Sequence, residues 1–471
     1  MSLPILTLDL GTSGAKAALV DVHGIVIATS SHNYATTSLP GGGSEQSPQD
    51  WIDSARECIL DLLAHSANFA AVTLTGQMQD LICVDARGEA IGFAVLYSDT
   101  RATAEATQLQ QELPEWNEIT GNEQTATSIP AMWARAVAAD ATLAAKTHHL
   151  LFSPSGYVVS QLGLGYFCDE TTASTTGLFD LSRRDWSRRI SAAARINAAA
   201  LPTISSGLVG LAPANNHLGI PAETPIVLAP GDAASTTCGL VGLAPGEDYV
   251  SFGTSGWHAQ VVETQQAPSA IHQLALPGSG ILRIAAILSV GGTADWARER
   301  FLPGVSNTTS DGMLMRTPRV PTGMLSLPSL RGERFPVRSD HLGAAIVDIP
   351  ADAENLSLYA AVLEGVCFGF SHDITGTDPL PATGGGSRSL PWMRMLADIT
   401  GRTVRVTPSN DASLRGAAIF AAHVLSLGVI EPLSSHAIVD IEPDPDAQPA
   451  YQALRARHRQ LYDALNGLAR A

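Results

Sequence analysis

Positive charge is scarce in this chain. Lysine and arginine number 28 against 45 aspartates and glutamates in 471 residues, a formal net charge of −17 with a pI of about 5.1. No block of basic residues reverses that balance locally, so a nucleic-acid partner, being a long polyanion, is excluded. A small anionic ligand is not, because backbone N–H groups and a divalent cation bind one whatever the net charge. Cysteine is sparse too. Cys58, Cys83, Cys168, Cys238 and Cys367 are scattered without CxxC spacing and are expected reduced and partly buried, as in a cytosolic protein. No apolar run is long enough to span a bilayer. The opening "PILTLDL" lacks the basic and long apolar regions of a signal peptide. Heptads, solenoid repeats and low-complexity tracts are absent as well. The expectation is a soluble cytoplasmic protein without a membrane partner; a homodimer is left open.

What is present is a globular balance, 45% hydrophobic and 15% charged, in a chain long enough for two domains. The tetrapeptide GTSG occurs twice, at residues 11–14 and 253–256. Each copy lies between two strand-like runs, in "LTLDLGTSGAKAALVDV" and "DYVSFGTSGWHAQVVE". Residues 3–30 predict an antiparallel meander, unlike the strand–turn–helix of a P-loop or Rossmann unit. "SLPGGGSEQSP" reads as a loop, followed by a helix with Ser47 as N-cap, Pro48 in its first position and Trp51, Ala55, Ile59, Leu62 and Leu63 on one face. "AAVTLTGQMQDLICVD" reads as a strand pair with a polar break. Helices are predicted at "TADWARERF" after a Gly-Gly turn, at "LSLYAAVLEGVCFGFSHDI", after the glycine-rich turn of "PATGGGSRSLPWMRMLADIT", and at "DASLRGAAIFAAHVLSLG". A boundary in the Gly/Pro-rich stretch after Asp232 gives domains 1–242 and 243–471. Two such halves resemble the duplicated actin/hexokinase/Hsp70-like (ribonuclease H-like) α/β fold, in which two hairpin turns clamp nucleotide phosphates across a cleft.

The chain is similar to the FGGY carbohydrate kinases over nearly its whole length. The resemblance rests on "LDLGTSGAKA", "SEQSPQDW", "TGQMQDLICVDARG", "LYSDTRA", "APGDAASTTCGLVG", "SFGTSG", "VGGTADW", "GERFPV" and "TGGGSRSLPWMRMLADITG", in the family's order. It implies Asp232 as the base that accepts a proton from the acceptor hydroxyl. Read alone, Asp232 is an aspartate capping a helix. The resemblance also places Asp9 and Asp232 at a Mg²⁺ ion, which takes one or two carboxylates and keeps several waters. Thr12, Ser13, Gly14 and Lys16 would meet the phosphates of ATP, though Lys16 is equally an exposed strand lysine. Gly253 and Thr254 would form the opposing turn. Gly291 and Asp295 would lie on the nucleotide side, and Gly385 and Ser389 at the adenosine. Asp295 alone also suits the first turn of a helix.

Met78, Gln79, Asp99 and Arg101 are the implied sugar-side residues, Asp99 as a ligand for a hydroxyl. Xylulokinases have Met-His-Gly where this chain has Met78-Gln79-Asp80, and Ala131 stands where the family carries lysine. The function implied is ATP-dependent phosphorylation of a small sugar, a ketopentose such as xylulose or ribulose first. A gluconate or polyol kinase is the alternative within the family. An actin- or Hsp70-like ATPase without sugar transfer is the alternative from another class.

Overall fold

The computed structural model describes residues 3–330, 332–408 and 411–469. Two mixed sheets organise it. The first holds β1 (Ile5–Leu10), β2 (Gly14–Val20), β3 (Val26–Asn33), β4 (Ala71–Gly76), β5 (Gly207–Leu211) and β6 (Pro225–Leu228), in the order β5-β6-β4-β1-β2-β3. The second holds β7 (Asp248–Phe252), β8 (Gly256–Val262), β9 (His272–Ala275), β10 (Ile281–Ile287), β11 (Leu380–Thr383), β12 (Val404–Val406) and β13 (Val439–Ile441), in the order β9-β10-β8-β7-β11-β12-β13.

The duplication is visible in the pairing. β1, β2 and β3 form the antiparallel meander, and β4 then β6 extend it parallel on the other side of β1. β7, β8 and β10 repeat the meander, and β11 then β12 repeat the extension. A parallel neighbour needs a crossover. The first half supplies α1 (Pro48–Leu63), the second α3 (Gly291–Phe301) and α4 (Asn355–Ser371).

The face of α1 expected from its spacing is the buried one: Trp51, Ala55, Ile59 and Leu62 pack with Leu6, Leu8 and Leu74 in one core. Ser47 has the extended backbone of an N-cap, but its side chain makes no capping bond. Two expectations fail. "SLPGGGSEQSP" is a hairpin rather than a loop, Thr37–Leu39 pairing with Gly43–Gln46. The strands of "AAVTLTGQMQDLICVD" do not pair with each other. β4 lies inside the first sheet, while Ile82–Val84 pairs with His149–Leu151. The polar segment between them, where Gln79 has φ +67°, leads the chain out of the sheet.

Equivalent helices follow the last parallel strands, α2 (Asp232–Leu240) after β6 and α6 (Ala412–Val424) after β12; between them lies α5 (Leu390–Thr400). α2 and α6 cross backbone against backbone. A Cβ on Gly239 would lie 1.9 Å from the Ala412 carbonyl oxygen, and one on Gly416 1.8 Å from that of Ser235. α6 also buries Leu414, Ala417 and Ala421 against Ile5, Val20 and Val227 of the first sheet. An element from the second half of the sequence therefore closes a face of the first half. The cysteines are all buried and unbridged. No helix among the described residues is long and apolar enough to cross a membrane.

Candidate active site

The two GTSG turns occupy matching places, between β1 and β2 and between β7 and β8. In the first, Tyr34 Oη donates to the Gly11 carbonyl, and Gln46 Nε2 donates to the Thr12 carbonyl at 2.7 Å. In the second, the equivalent carbonyls of Gly253 and Thr254 accept from the Gly291 and Gly292 N–H groups at 2.9 and 3.0 Å. A trans peptide points its C=O and N–H in opposite directions. Pinning these carbonyls on one side turns the N–H groups of Thr12 and Ser13, and of Thr254 and Ser255, to the other. None of the four has a partner among the described residues. Two concavities of free N–H groups result, a backbone arrangement suited to anions. Lys16, opposite Asp9 in the β1–β2 ladder, is exposed and makes no ion pair among the described residues.

Asp232 opens α2, and its N-cap is Gly231, so it is not the capping residue. It is half-buried. Burial first, and then the charges of Asp9 and Asp169, push its carboxyl up to about 7 against the pull of the Ala233 N–H. Asp9, at the end of β1, is raised by burial despite the hydroxyl that Ser413 of α6 donates to its Oδ2. Its Oδ1 is buried without a partner. An orphaned carboxylate oxygen near a second carboxylate suits a hard cation that keeps most of its waters. Asp169 had no signal of its own beyond a capping position in "CDETTAS". Its Oδ1 accepts from Thr172 N–H and from Gly231 N–H, both at 2.9 Å, which fixes the backbone just ahead of Asp232.

The expected nucleotide-side residues of the second half come together. Gly253, Thr254, Gly291, Asp295, Gly385 and Ser389 all line one cavity of about 660 Å³. Gly291 faces it with its N–H already spent on the turn. Ser389 Oγ donates to Asp311 Oδ1 at 2.7 Å. Asp311 also lines this cavity and was not foreseen.

Of the expected sugar-side residues, Met78 packs against Gly231, the residue before Asp232, where a Cβ would lie 2.3 Å from the Met78 sulfur. Gln79 Nε2 donates to the Thr127 carbonyl at 2.6 Å and faces a second cavity of about 150 Å³. Residues from both halves line that cavity, among them Gln124 and Thr175 from the first and His272 and Arg334 from the second. Asp99 departs from expectation. It is 2% exposed and its oxygens accept from Arg101 Nε and Nη2, Arg101 N–H and Ser44 N–H. Burial works to raise its carboxyl, but Arg101 and the two N–H groups hold it below its ordinary value. With both oxygens taken, Asp99 is a clamp on the hairpin rather than a ligand, and Arg101 extends the clamp to Glu45 at 2.7 Å.

Two duplicated α/β halves with matched GTSG turns define a protein of the actin/hexokinase-like fold. The chain belongs to the FGGY family of carbohydrate kinases, whose N-terminal domain matches residues 4–239 and whose C-terminal domain matches residues 248–425. It is thus an ATP-dependent sugar kinase. It is 28% identical to the xylulose kinase of Escherichia coli K12, over 97% of this chain and 98% of that one. The structure of a xyloylose kinase from Brucella ovis superposes with a TM-score of 0.88 at 27% identity, covering 98% of this chain and 99% of that one. A gluconate kinase from Lactobacillus acidophilus superposes with the same TM-score, 0.88, at 21% identity over 99% of both chains, a likeness of fold alone.

Proposed function

We propose that this kinase phosphorylates a ketopentose, xylulose foremost, with Asp232 as the base. The substrate reading rests on the named activity of the Escherichia coli relative, which aligns along nearly the full chain. The role of Asp232 rests on one observation, a half-buried carboxyl pushed up to about 7 at the N-terminus of a helix facing Asp9. A base tuned near neutrality combines an ionised fraction with enough proton affinity to be useful.

ATP would lie with adenosine in the 660 Å³ cavity and its phosphates between the two turns. The free N–H groups of Thr12, Ser13, Thr254 and Ser255, with Lys16 beside them, would balance the phosphate charge. The sugar would sit between Met78, Gln79 and Asp232. Asp232 takes the hydroxyl proton as the sugar oxygen bonds to the γ-phosphorus and the bond to the β-phosphate oxygen breaks, releasing ADP and sugar phosphate. Asp9 and Asp232 would hold Mg²⁺, which when bound neutralises phosphate charge. Closure of the halves would exclude water and suppress futile hydrolysis.

ADP release measured over ketopentoses, pentitols, aldonates, glycerol and erythritol tests the substrate. Xylulose should give the highest kcat/KM. A higher value for gluconate would displace it, and hydrolysis indifferent to every sugar would favour an ATPase. Asp232→Asn should abolish transfer and leave nucleotide affinity near wild type; retained turnover would remove Asp232 from the chemistry.

A further inference from the structure

Asp80 is fully buried and has no part in the mechanism above. Two hydrogen-bonded routes lead from it to Thr12 of the first phosphate turn. Along one, Asp80 lies within hydrogen-bonding reach of the Gln77 side chain, and Gln77 Nε2 donates to Gln46 Oε1 at 2.9 Å. Gln46 Nε2 then donates to the Thr12 carbonyl at 2.7 Å. Along the other, the Tyr97 N–H donates to Asp80 Oδ1 at 3.3 Å, and the Tyr97 hydroxyl meets Thr12 Oγ1 at 3.2 Å.

Gln46 is 1% exposed and uses its whole amide. Both donors are spent, on Thr12 O and Thr36 Oγ1, and its oxygen accepts from Trp51 Nε1 and Gln77 Nε2. Only one orientation of that amide satisfies all four partners. At the other end, Asp80 Oδ2 and Gln77 Oε1 are both buried without a partner. Burial holds the Asp80 carboxyl well above the ordinary carboxylate range, with the Asp232 charge acting the same way and the Tyr97 N–H and the Gln77 side chain opposing it.

We propose that Asp80 and Gln46 are positioning residues that tie the acceptor segment Gln77-Met78-Gln79 to Thr12 and so aim the first turn's N–H groups at the ATP phosphates. This rests on the reading that the phosphates lie between the two turns. Side chains thereby supply in the first half the aim that the second turn takes from the backbone of α3.

The test compares affinities for a non-hydrolysable ATP analogue and for adenosine, without sugar, in the full-length protein. Adenosine reports the second half alone; the analogue adds the phosphates. In the wild type the analogue should bind more tightly than adenosine. Gln46→Met and Asp80→Leu should weaken the analogue about tenfold, the scale of a lost charge-assisted hydrogen bond, with adenosine unchanged. Asp80→Asn, which keeps an acceptor for the Tyr97 N–H, should recover all but about twofold. Tyr97→Phe removes one hydroxyl from a part-exposed side chain and tests the second route should a buried variant not fold; it should weaken the analogue alone. Unchanged analogue affinity in folded Gln46→Met or Tyr97→Phe overturns the proposal, as does a parallel loss of adenosine affinity. So does Asp80→Asn behaving like Asp80→Leu. A wild type that binds both ligands equally refutes the underlying placement of the phosphates instead.

Discussion

The two GTSG turns share sequence, place in the sheet and presentation of free N–H groups, yet they are held in opposite ways. In the first, the carbonyls of Gly11 and Thr12 accept from side chains, Tyr34 and Gln46. In the second, those of Gly253 and Thr254 accept from backbone N–H groups of Gly291 and Gly292. A backbone clamp cannot be deleted by substitution, only crowded. A side-chain clamp can be deleted, and it can also be connected to something else. With the sugar placed as proposed, the first turn borders the acceptor, and its clamp would be the one to carry information from the sugar side.

The difference can be broken from either side. Gly291→Ala should have the largest effect, because a Cβ there would lie 2.5 Å from the Gly253 carbonyl oxygen, and that oxygen cannot move without the turn. A displacement of that kind costs about a hundredfold in kcat/KM, readable in steady-state assays against ATP. A loss under about threefold would mean that the turn tolerates being moved. The next effect concerns the aspartates at the starts of the crossing helices, Asp232 as the first residue of α2 and Asp411 as the N-cap of α6. With its carboxyl pushed up to about 7, Asp232 must lose a proton to act, so kcat/KM for sugar should fall about tenfold per pH unit below neutrality and level off above it. A flat profile between about pH 5 and 8 would separate Asp232 from proton transfer.

Tyr34→Phe should be milder. It leaves the partly buried Gly11 carbonyl without its hydroxyl donor, a loss of about 1 kcal/mol, seen as a several-fold rise in KM for ATP and a slightly lower Tm. An unaltered KM would show that Gln46 alone aims the turn. Asp411→Asn should change least. Asp411 is a half-buried N-cap with φ +56° that makes no capping bond, and kcat should stay within about twofold. A tenfold drop would give the second half's aspartate a part in the chemistry.

Much of this was legible in the chain itself. The strand–GTSG–strand repeat marks both sheets, because period-2 patterning and glycine turns are local signals. The helix at 48–63 follows from its proline and apolar face. The cavity-lining set from Gly253 to Ser389 follows from motif order rather than spacing. What escaped is held by partners far away in sequence. Gln46 bonds across 34 residues to Thr12, and Asp169 across 62 to Gly231. Neither pairing leaves a periodic trace. Asp99 misled because an aspartate in a family motif looks like a ligand until its oxygens are found occupied by Arg101 and Ser44. The hairpin at 37–46 was hidden by glycines and serines that suit a loop equally well.

The crossing of α2 and α6 bears on whether the molecule could be taken apart. Severed in the turn between Leu240 and Asp248, the chain would yield two pieces, each retaining its own meander. The first piece would lose Leu414, Ala417 and Ala421 and expose the side of its sheet that carries Ile5, Val20 and Val227. The second would carry α6 with no sheet to cover. Neither piece is a self-sufficient folding unit, and each displays the surface the other needs. The symmetry of the strands suggests two modules, but the exchanged helix makes reassembly of the fragments, rather than their independence, the natural behaviour of the cut protein.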